Sequence, residues 1–381
     1  MASIHAIRPT CIIFSFCYLL TRFSTTCSHA IASQKLGACV SAQGKVRMRA
    51  NPVVVITGAS AGLGRAIAHG FAMKGAKLAL LARNPEALEA ACRECEALGG
   101  IAIAIPTDVS DASAVEAAAE RAESELGPID IWVNDAMVSV FSPVKEMEAS
   151  DYKRVTEVLY LGFVYGTQSA LKRMLPRDRG TIIQIGSALA YRSIPLQSAY
   201  CACKHAINGF TDSLRCELYH DKSNVKLTTV QMPAMNTIQF DWVKNRMPHM
   251  TQPVPPIFEP EVTAKVVIAA GFAADPRREY WVGSPTVLAI LGQKSIPGLL
   301  DRYLGRTGYD SQQIQDQKQD PAAPNNLYHY VPGTWSARGK FSDRSARSSA
   351  EVFVSLHWRW CALGCAGLAA GAFALSRLRR K

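Results

Sequence analysis

Tyr200 and Lys204 stand four residues apart, and Ser187 lies thirteen residues before the tyrosine. A four-residue interval puts two side chains on one face of a helix, so a phenol and an ammonium can point into one site. A free phenol titrates near about 10, too high for base work at neutral pH. A neighbouring ammonium favours the phenolate and lowers that value. The pair therefore suits the movement of one proton to or from an oxygen, with the Ser187 hydroxyl as a hydrogen-bond partner for that oxygen. Ser187 lies just past the apolar run 181–185, at the carboxyl end of a strand candidate, where open α/β sheets gather their ligands.

A second group of residues could bind phosphates. The run TGASAGLG spans Thr57 to Gly64, directly after the apolar, β-branched run Val53–Ile56. Gly58 allows a tight turn, and Gly62 and Gly64 let the backbone approach a pyrophosphate. The following residues read as a helix start, which offers free N–H groups and the positive end of a dipole. After the second strand candidate, the position that is acidic in NAD-binding units is Arg83. An arginine suits a 2′-phosphate through charge-assisted, bidentate contact, so the expected cofactor is NADP(H).

These residues need a scaffold that brings strand ends together. Apolar strand runs at 53–56, 77–81, 101–105, 129–133, 181–185, 226–230 and 279–282 alternate with helical segments. That alternation predicts an α/β fold, a Rossmann-type doubly wound parallel sheet of about seven strands in a single domain. Asn84-Pro85 reads as an N-cap with proline at the first helical position, and Ser110 as a cap for the helix that runs to Leu126.

In combination, the three glycines, Ser187, the Tyr200/Lys204 pair and the PAMNT run Pro233–Thr237 resemble the short-chain dehydrogenase/reductase family over roughly 52–300. The resemblance implies an oxidoreductase that interconverts a carbonyl and a secondary alcohol. It implies that Ser187, Tyr200 and Lys204 are catalytic and that Tyr200 and Lys204 also contact the cofactor, Lys204 through the nicotinamide ribose. Gly58, Ser60, Gly62, Gly64, Arg83, Asp108, Asn134 and Thr237 are the other expected cofactor residues, with Asp108 at the adenine and Thr237 at the nicotinamide side. Residues 233–260, rich in Pro, Met and aromatics, correspond to a substrate lid. Two positions depart from the family pattern. Leu159 stands where an asparagine usually holds a water in a proton relay to the lysine, and leucine cannot form a hydrogen bond there. Met137 stands where glycine usually borders the cofactor. Leu159 supports a competing reading, an NADP-binding scaffold or redox sensor with weak turnover.

The formal net charge is +11, but 52–300 carries 24 basic and 25 acidic residues, so the surplus belongs to the ends. The central domain thus has no charge excess suited to a nucleic-acid backbone. Eleven scattered cysteines do not form a secreted disulfide framework. Cys92 and Cys95 lack a second ligand pair, so no metal site is expected. Residues 1–51 carry six basic residues and no acidic one. They read as a targeting segment, with transit features for a plastid or mitochondrion favoured over the secretory signal that Cys11–Leu20 suggests. Residues 301–350 read as a polar linker, free or partly ordered against the domain, and 351–381 as a C-terminal membrane anchor. In the latter, Trp360 to Ser376 run seventeen residues without a charge, at the short limit for a transmembrane helix. A homo-oligomer is expected through helices at 149–175 and 198–219, the second carrying an apolar stripe of Ile207, Phe210, Leu214 and Leu218. The expected whole is a membrane-anchored, NADP(H)-dependent enzyme acting on an apolar small molecule.

Overall fold

The structure, a computed structural model, describes residues 51–357. Seven strands form one parallel sheet: β1 Val53–Thr57, β2 Lys77–Ala82, β3 Ile101–Pro106, β4 Ile129–Asn134, β5 Thr181–Ile185, β6 Lys226–Gln231 and β7 Glu279–Trp281. Their order is β7-β6-β5-β4-β1-β2-β3, and every neighbouring pair is parallel. Each strand candidate read from the sequence is a strand of this sheet. The chain is buried on both sheet faces, and the period of two shows directly. Val54 and Ile56 join one core with Ile67, Phe71 and Val267. Val53 and Val55 join the other with Trp132, Leu159 and Phe163.

Helices α1 Gly62–Ala72, α2 Pro85–Ala97 and α3 Ala112–Leu126 follow the first three strands. Asn84 caps α2 by accepting from the Ala87 N–H at 3.2 Å, with proline at the start. The cap of α3 is Asp111, which accepts from Ser113 and Ala114, not Ser110; Ser110 bonds Asp108 instead. The expected helix over 149–175 is broken into α4 Ala149–Val155, a π-turn Thr156–Leu161 and α5 Gly162–Met174. Helix α6, Ser198–His220, carries Tyr200 and Lys204. Its apolar stripe is used internally: Ile207, Leu214 and Leu218 are buried in the protein's own core, and Phe210 packs against it. Most of the stripe is therefore spent inside the protein, and Phe210 stays partly exposed.

Beyond β6, α7 Pro260–Phe272 packs on α1, and α8 Ser284–Ser295 and α9 Pro297–Thr307 follow β7. Where the sequence suggests a polar linker, the chain lies back on the domain. Strand β8, Gln313–Lys318, pairs antiparallel with the short strand His249–Thr251, and residues 326–346 cross the sheet's carboxyl edge. Helix α10, Ala350–Leu356, docks on α7 with Val352 buried. Among the described residues no helix is long and apolar enough to cross a membrane. The targeting segment up to residue 50 and the anchor stretch from Trp360 lie outside the described residues.

Candidate active site

The strand order reverses between β1 and β4, and the loops at their carboxyl ends part there, as doubly wound sheets require. Thr57, the last residue of β1, ties the two ends together. Its hydroxyl accepts the N–H groups of Asp135 (3.0 Å) and Ala136 (3.1 Å) and donates to the Val133 carbonyl (3.4 Å). Gly58 follows with φ 75°, and a Cβ there would sit 2.8 Å from the Ala136 backbone. Gly62 has φ 57°. Only glycine meets both demands without strain. A side chain at Gly64 would collide with the Gly58 carbonyl, so Gly64 lets α1 start tight against the turn.

A cavity of about 380 Å³ opens above this crossing. Gly58, Ser60, Gly62, Arg83, Asp108, Ser187, Tyr200, Lys204 and Thr237 all line it. Two expected cofactor residues do not. Gly64 acts beneath the turn. Asn134 is fully buried behind it, where its amide reaches Gln184 (2.9 Å) and Thr167 (3.1 Å) and its oxygen accepts from the Trp132 indole (2.8 Å). Asn134 therefore joins β4, α5 and β5 and does not touch the cleft.

On one wall, Ser187 is buried where it leaves β5. Its N–H donates to Gln231 Oε1 at 2.6 Å, and Gln231 Nε2 donates to Glu279 (2.7 Å) and Asn208 (3.1 Å). Gly186 leaves room for that amide, since any Cβ there would strike Gln231. Tyr200 hydrogen-bonds Ser187. The Lys204 Nζ donates to the Ile185 carbonyl at 2.6 Å and lies 5.7 Å from the centre of the Tyr200 ring. Thus the first two turns of α6 and the end of β5 bring the three residues together.

The electrostatics differ from the sequence expectation. Burial drives the Tyr200 hydroxyl above the ordinary phenol value, and Asp135 and the neighbouring thiols add to the rise against the Ser187 hydrogen bond. Lys204 does not reverse this, because burial pushes its own ammonium down to about 8 despite Asp135 nearby. Asp135, which accepts the Gly64 N–H, is itself raised by burial, against the pull of Lys204. At neutral pH this wall therefore holds a protonated phenol beside a lysine that titrates within reach.

The other end of the cavity lies past β2 and β3. Arg154 pairs with Asp108 at 2.6 Å; burial opposes the Asp108 charge, but hydrogen bonds from Arg154 and Ser110 hold its carboxyl below the usual range. Arg83 extends to the backbone carbonyls of Asn326 (2.5 Å) and Tyr328 (3.1 Å). Asn326, Tyr330, Val331 and Trp335 line the cavity here. Sequence reasoning missed these residues, because they act through backbone oxygens within a polar stretch that shows no period.

The two departures from the family pattern take definite places. Leu159 is wholly buried in the core, and its neighbour Val158 faces the cavity instead. The π-turn inserts an extra residue per turn, and such bulges gather at functional sites. Met137 does line the cleft.

The short chain dehydrogenase family model matches residues 52–246. The uncharacterized oxidoreductase YxnA of Bacillus subtilis (strain 168) is 34% identical over 289 residues, covering 74% of this chain and 80% of that protein. The chain belongs to the short-chain dehydrogenase family. Another relative, dehydrogenase/reductase SDR family member 7 of Homo sapiens, is 37% identical over 170 residues, which cover 44% of this chain and half (50%) of that protein. Among solved structures, a metagenomic short-chain oxidoreductase in complex with NADP superposes with a TM-score of 0.51 at 28% identity, over 60% of this chain and 95% of that one. An alcohol dehydrogenase from the archaeon Thermococcus sibiricus, complexed with 5-hydroxy-NADP, gives 0.52 at 25% identity, over 60% and 94%. This short-chain dehydrogenase is thus an oxidoreductase by family, and the cleft at its strand reversal is the candidate active site.

Proposed function

We propose that this short-chain dehydrogenase is an NADP(H)-dependent enzyme that interconverts a carbonyl and a secondary alcohol on an apolar small molecule. One observation carries the reading. Ser187, Tyr200 and Lys204 meet on one wall of a cavity whose other walls are the glycine turn and Arg83. The cleft suits a dinucleotide: Gly58 and Gly62 leave bare backbone, α1 starts beside it, and Arg83 supplies a cation at the far end. The two solved relatives complexed with NADP or 5-hydroxy-NADP support the same cofactor.

The bound nicotinamide would supply or take the hydride. The chain's own residues manage the oxygen and the proton. The Ser187 hydroxyl holds the substrate oxygen by a hydrogen bond, and the Tyr200 hydroxyl gives it a proton. Burial keeps Tyr200 protonated, the form that a general acid needs for carbonyl reduction. Lys204, held by the Ile185 carbonyl, keeps positive charge beside the phenol as it gives up its proton. Ile194, Phe240, Val243, Val254 and Leu304 line the cavity beyond this wall, which supports an apolar substrate.

Leu159 favours one rival, a dinucleotide-binding scaffold with little turnover. Its burial in the core weakens that rival, since the side chain does not enter the cleft and Lys204 is held without it. The test is a panel of ketones, aldehydes and quinones given to the full chain with NADPH or NADH. NADPH-dependent reduction of apolar carbonyls is expected. Tight NADPH binding with no turnover across the panel would favour the scaffold.

A further inference from the structure

Residues 326–341 run across the cofactor end of the cleft, and the middle of this run is held in an unusual way. Its ends are pinned by buried side chains, Leu327 on one side and Ala337 and Phe341 on the other. Asn236 clamps the second pin: its side-chain oxygen accepts the Phe341 N–H at 2.9 Å, and its amide donates to Ser342 at 2.9 Å. Between the pins, 328–336 forms an arch with no buried residue.

The arch is held down largely by its own backbone carbonyls, and most of the donors they meet stand at the glycine turn, the start of α1 or the end of β2. Ser336 O accepts the Gly62 N–H at 3.0 Å. Trp335 O accepts from Arg65, which stands one turn into α1. Asn84 donates to Val331 O (3.2 Å) and Gly333 O (3.0 Å). Arg83 donates to Tyr328 O and, at the first pin, to Asn326 O. Side chains add contacts of their own: the Trp335 ring stands edge-on to Trp242 with centroids 4.9 Å apart, its indole N–H donates to Val331 O at 3.0 Å within the arch, and the Tyr328 hydroxyl donates to Asp151 at 3.2 Å.

Gly62 and Arg83 are the donors expected to meet a pyrophosphate and a 2′-phosphate. Carbonyl oxygens satisfy them, but a phosphate forms the stronger, charge-assisted bond. A segment with no buried residue and few apolar contacts also opens at low cost. We propose that the arch 328–336 is a gate on the dinucleotide site: its carbonyls hold Gly62 and Arg83 until cofactor phosphates take them, and cofactor admission and release proceed through arch opening. This rests on the proposed dinucleotide reading of the cleft and adds its regulation.

Two measurements on the full chain test the gate. The first is native-state hydrogen exchange without cofactor. The Gly62 amide, held by the Ser336 carbonyl, should exchange on the order of 100-fold more readily than those of β1 and β4. The second is stopped-flow NADPH binding followed by NADPH fluorescence. The observed rate should saturate with NADPH concentration, because opening becomes limiting. Trp335→Ala removes the contact with Trp242, so the plateau should rise by roughly 2- to 12-fold, the range for aromatic pairs. Affinity changes alone would not move that plateau. If Trp335→Ala does not fold, exchange and saturation in the native chain still decide. A Gly62 amide as protected as the sheet, or a rate linear in NADPH, would overturn the gate while leaving the cofactor reading intact. No NADPH binding at any concentration would overturn the cofactor reading itself, and the gate with it.

Discussion

Gln231 reaches neither the cleft nor any ligand, yet it fixes the serine wall. Its oxygen takes the Ser187 N–H at 2.6 Å, and its amide is spent on Glu279 and Asn208. Gln231→Leu keeps most of the volume and deletes both polar ends. The buried Ser187 N–H is then left without a partner, at a cost of about 1–3 kcal/mol, and the bond to the Glu279 carboxylate, about 1.5–3 kcal/mol, is lost. Glu279 still accepts from Tyr191 at 2.7 Å and both it and Asn208 reach solvent in part, so only some of the second loss is felt. The net is about 3 kcal/mol, or a melting temperature lower by roughly 6–12 °C for a domain of this size. Turnover should fall further than stability explains, because a misplacement near 1 Å at a reacting oxygen costs about 100-fold. Calorimetry and steady-state kinetics on the folded variant read the two effects separately. A melting temperature within about 1 °C of the parent, with kcat unchanged, would show that Ser187 needs no such support and would refute the reasoning.

The pH profile follows from Lys204. Its pKa is depressed to about 8, so its charge is present below that value and lost as pH rises through it. Reduction measured as kcat/KM should fall as pH rises above about 8; a profile still rising there would contradict the assignment. Leu159→Asn should destabilise the fold by about 1–3 kcal/mol, since it buries an amide in an apolar core, and should not raise kcat. A faster enzyme would show that a relay residue at this position reaches the site. Arg83→Ala should weaken NADPH by about 10- to 100-fold, the worth of a charge-assisted contact, and leave NADH nearly unchanged. Equal losses for the two, by equilibrium titration, would remove Arg83 from cofactor discrimination.

The sheet was legible because each strand is an apolar run cut off by turn residues. Gly58 and Gly62 declared the crossing of β1 and β4, since their backbone angles and close neighbours tolerate no side chain. The spacing of Tyr200 and Lys204 announced a shared helical face. What stayed hidden acts through tertiary context. The sequence allows Asn134 both to tie neighbouring strands and to meet the cofactor, and its register buries it, so only the strand tie is made. The phenol's rise comes from burial, which no spacing reveals. The arch presents carbonyl oxygens, a feature every residue shares, so its polar composition resembled a linker. The stripe on α6 showed an apolar face that must pack in part on the sheet, but not how much of it; the core covers Ile207, Leu214 and Leu218 and leaves Phe210 partly exposed.

The central claim is that Tyr200 delivers the proton, and Tyr200→Phe tests it most directly. Phenylalanine keeps the ring and its packing and loses only the hydroxyl that meets Ser187. NADPH affinity, measured by equilibrium titration on the full chain, should stay within about twofold of the parent. Single-turnover reduction of the best carbonyl substrate should fall by about 10²- to 10⁴-fold, the usual worth of a general acid. A variant that binds NADPH normally and reduces the substrate at the parent rate would contradict the account.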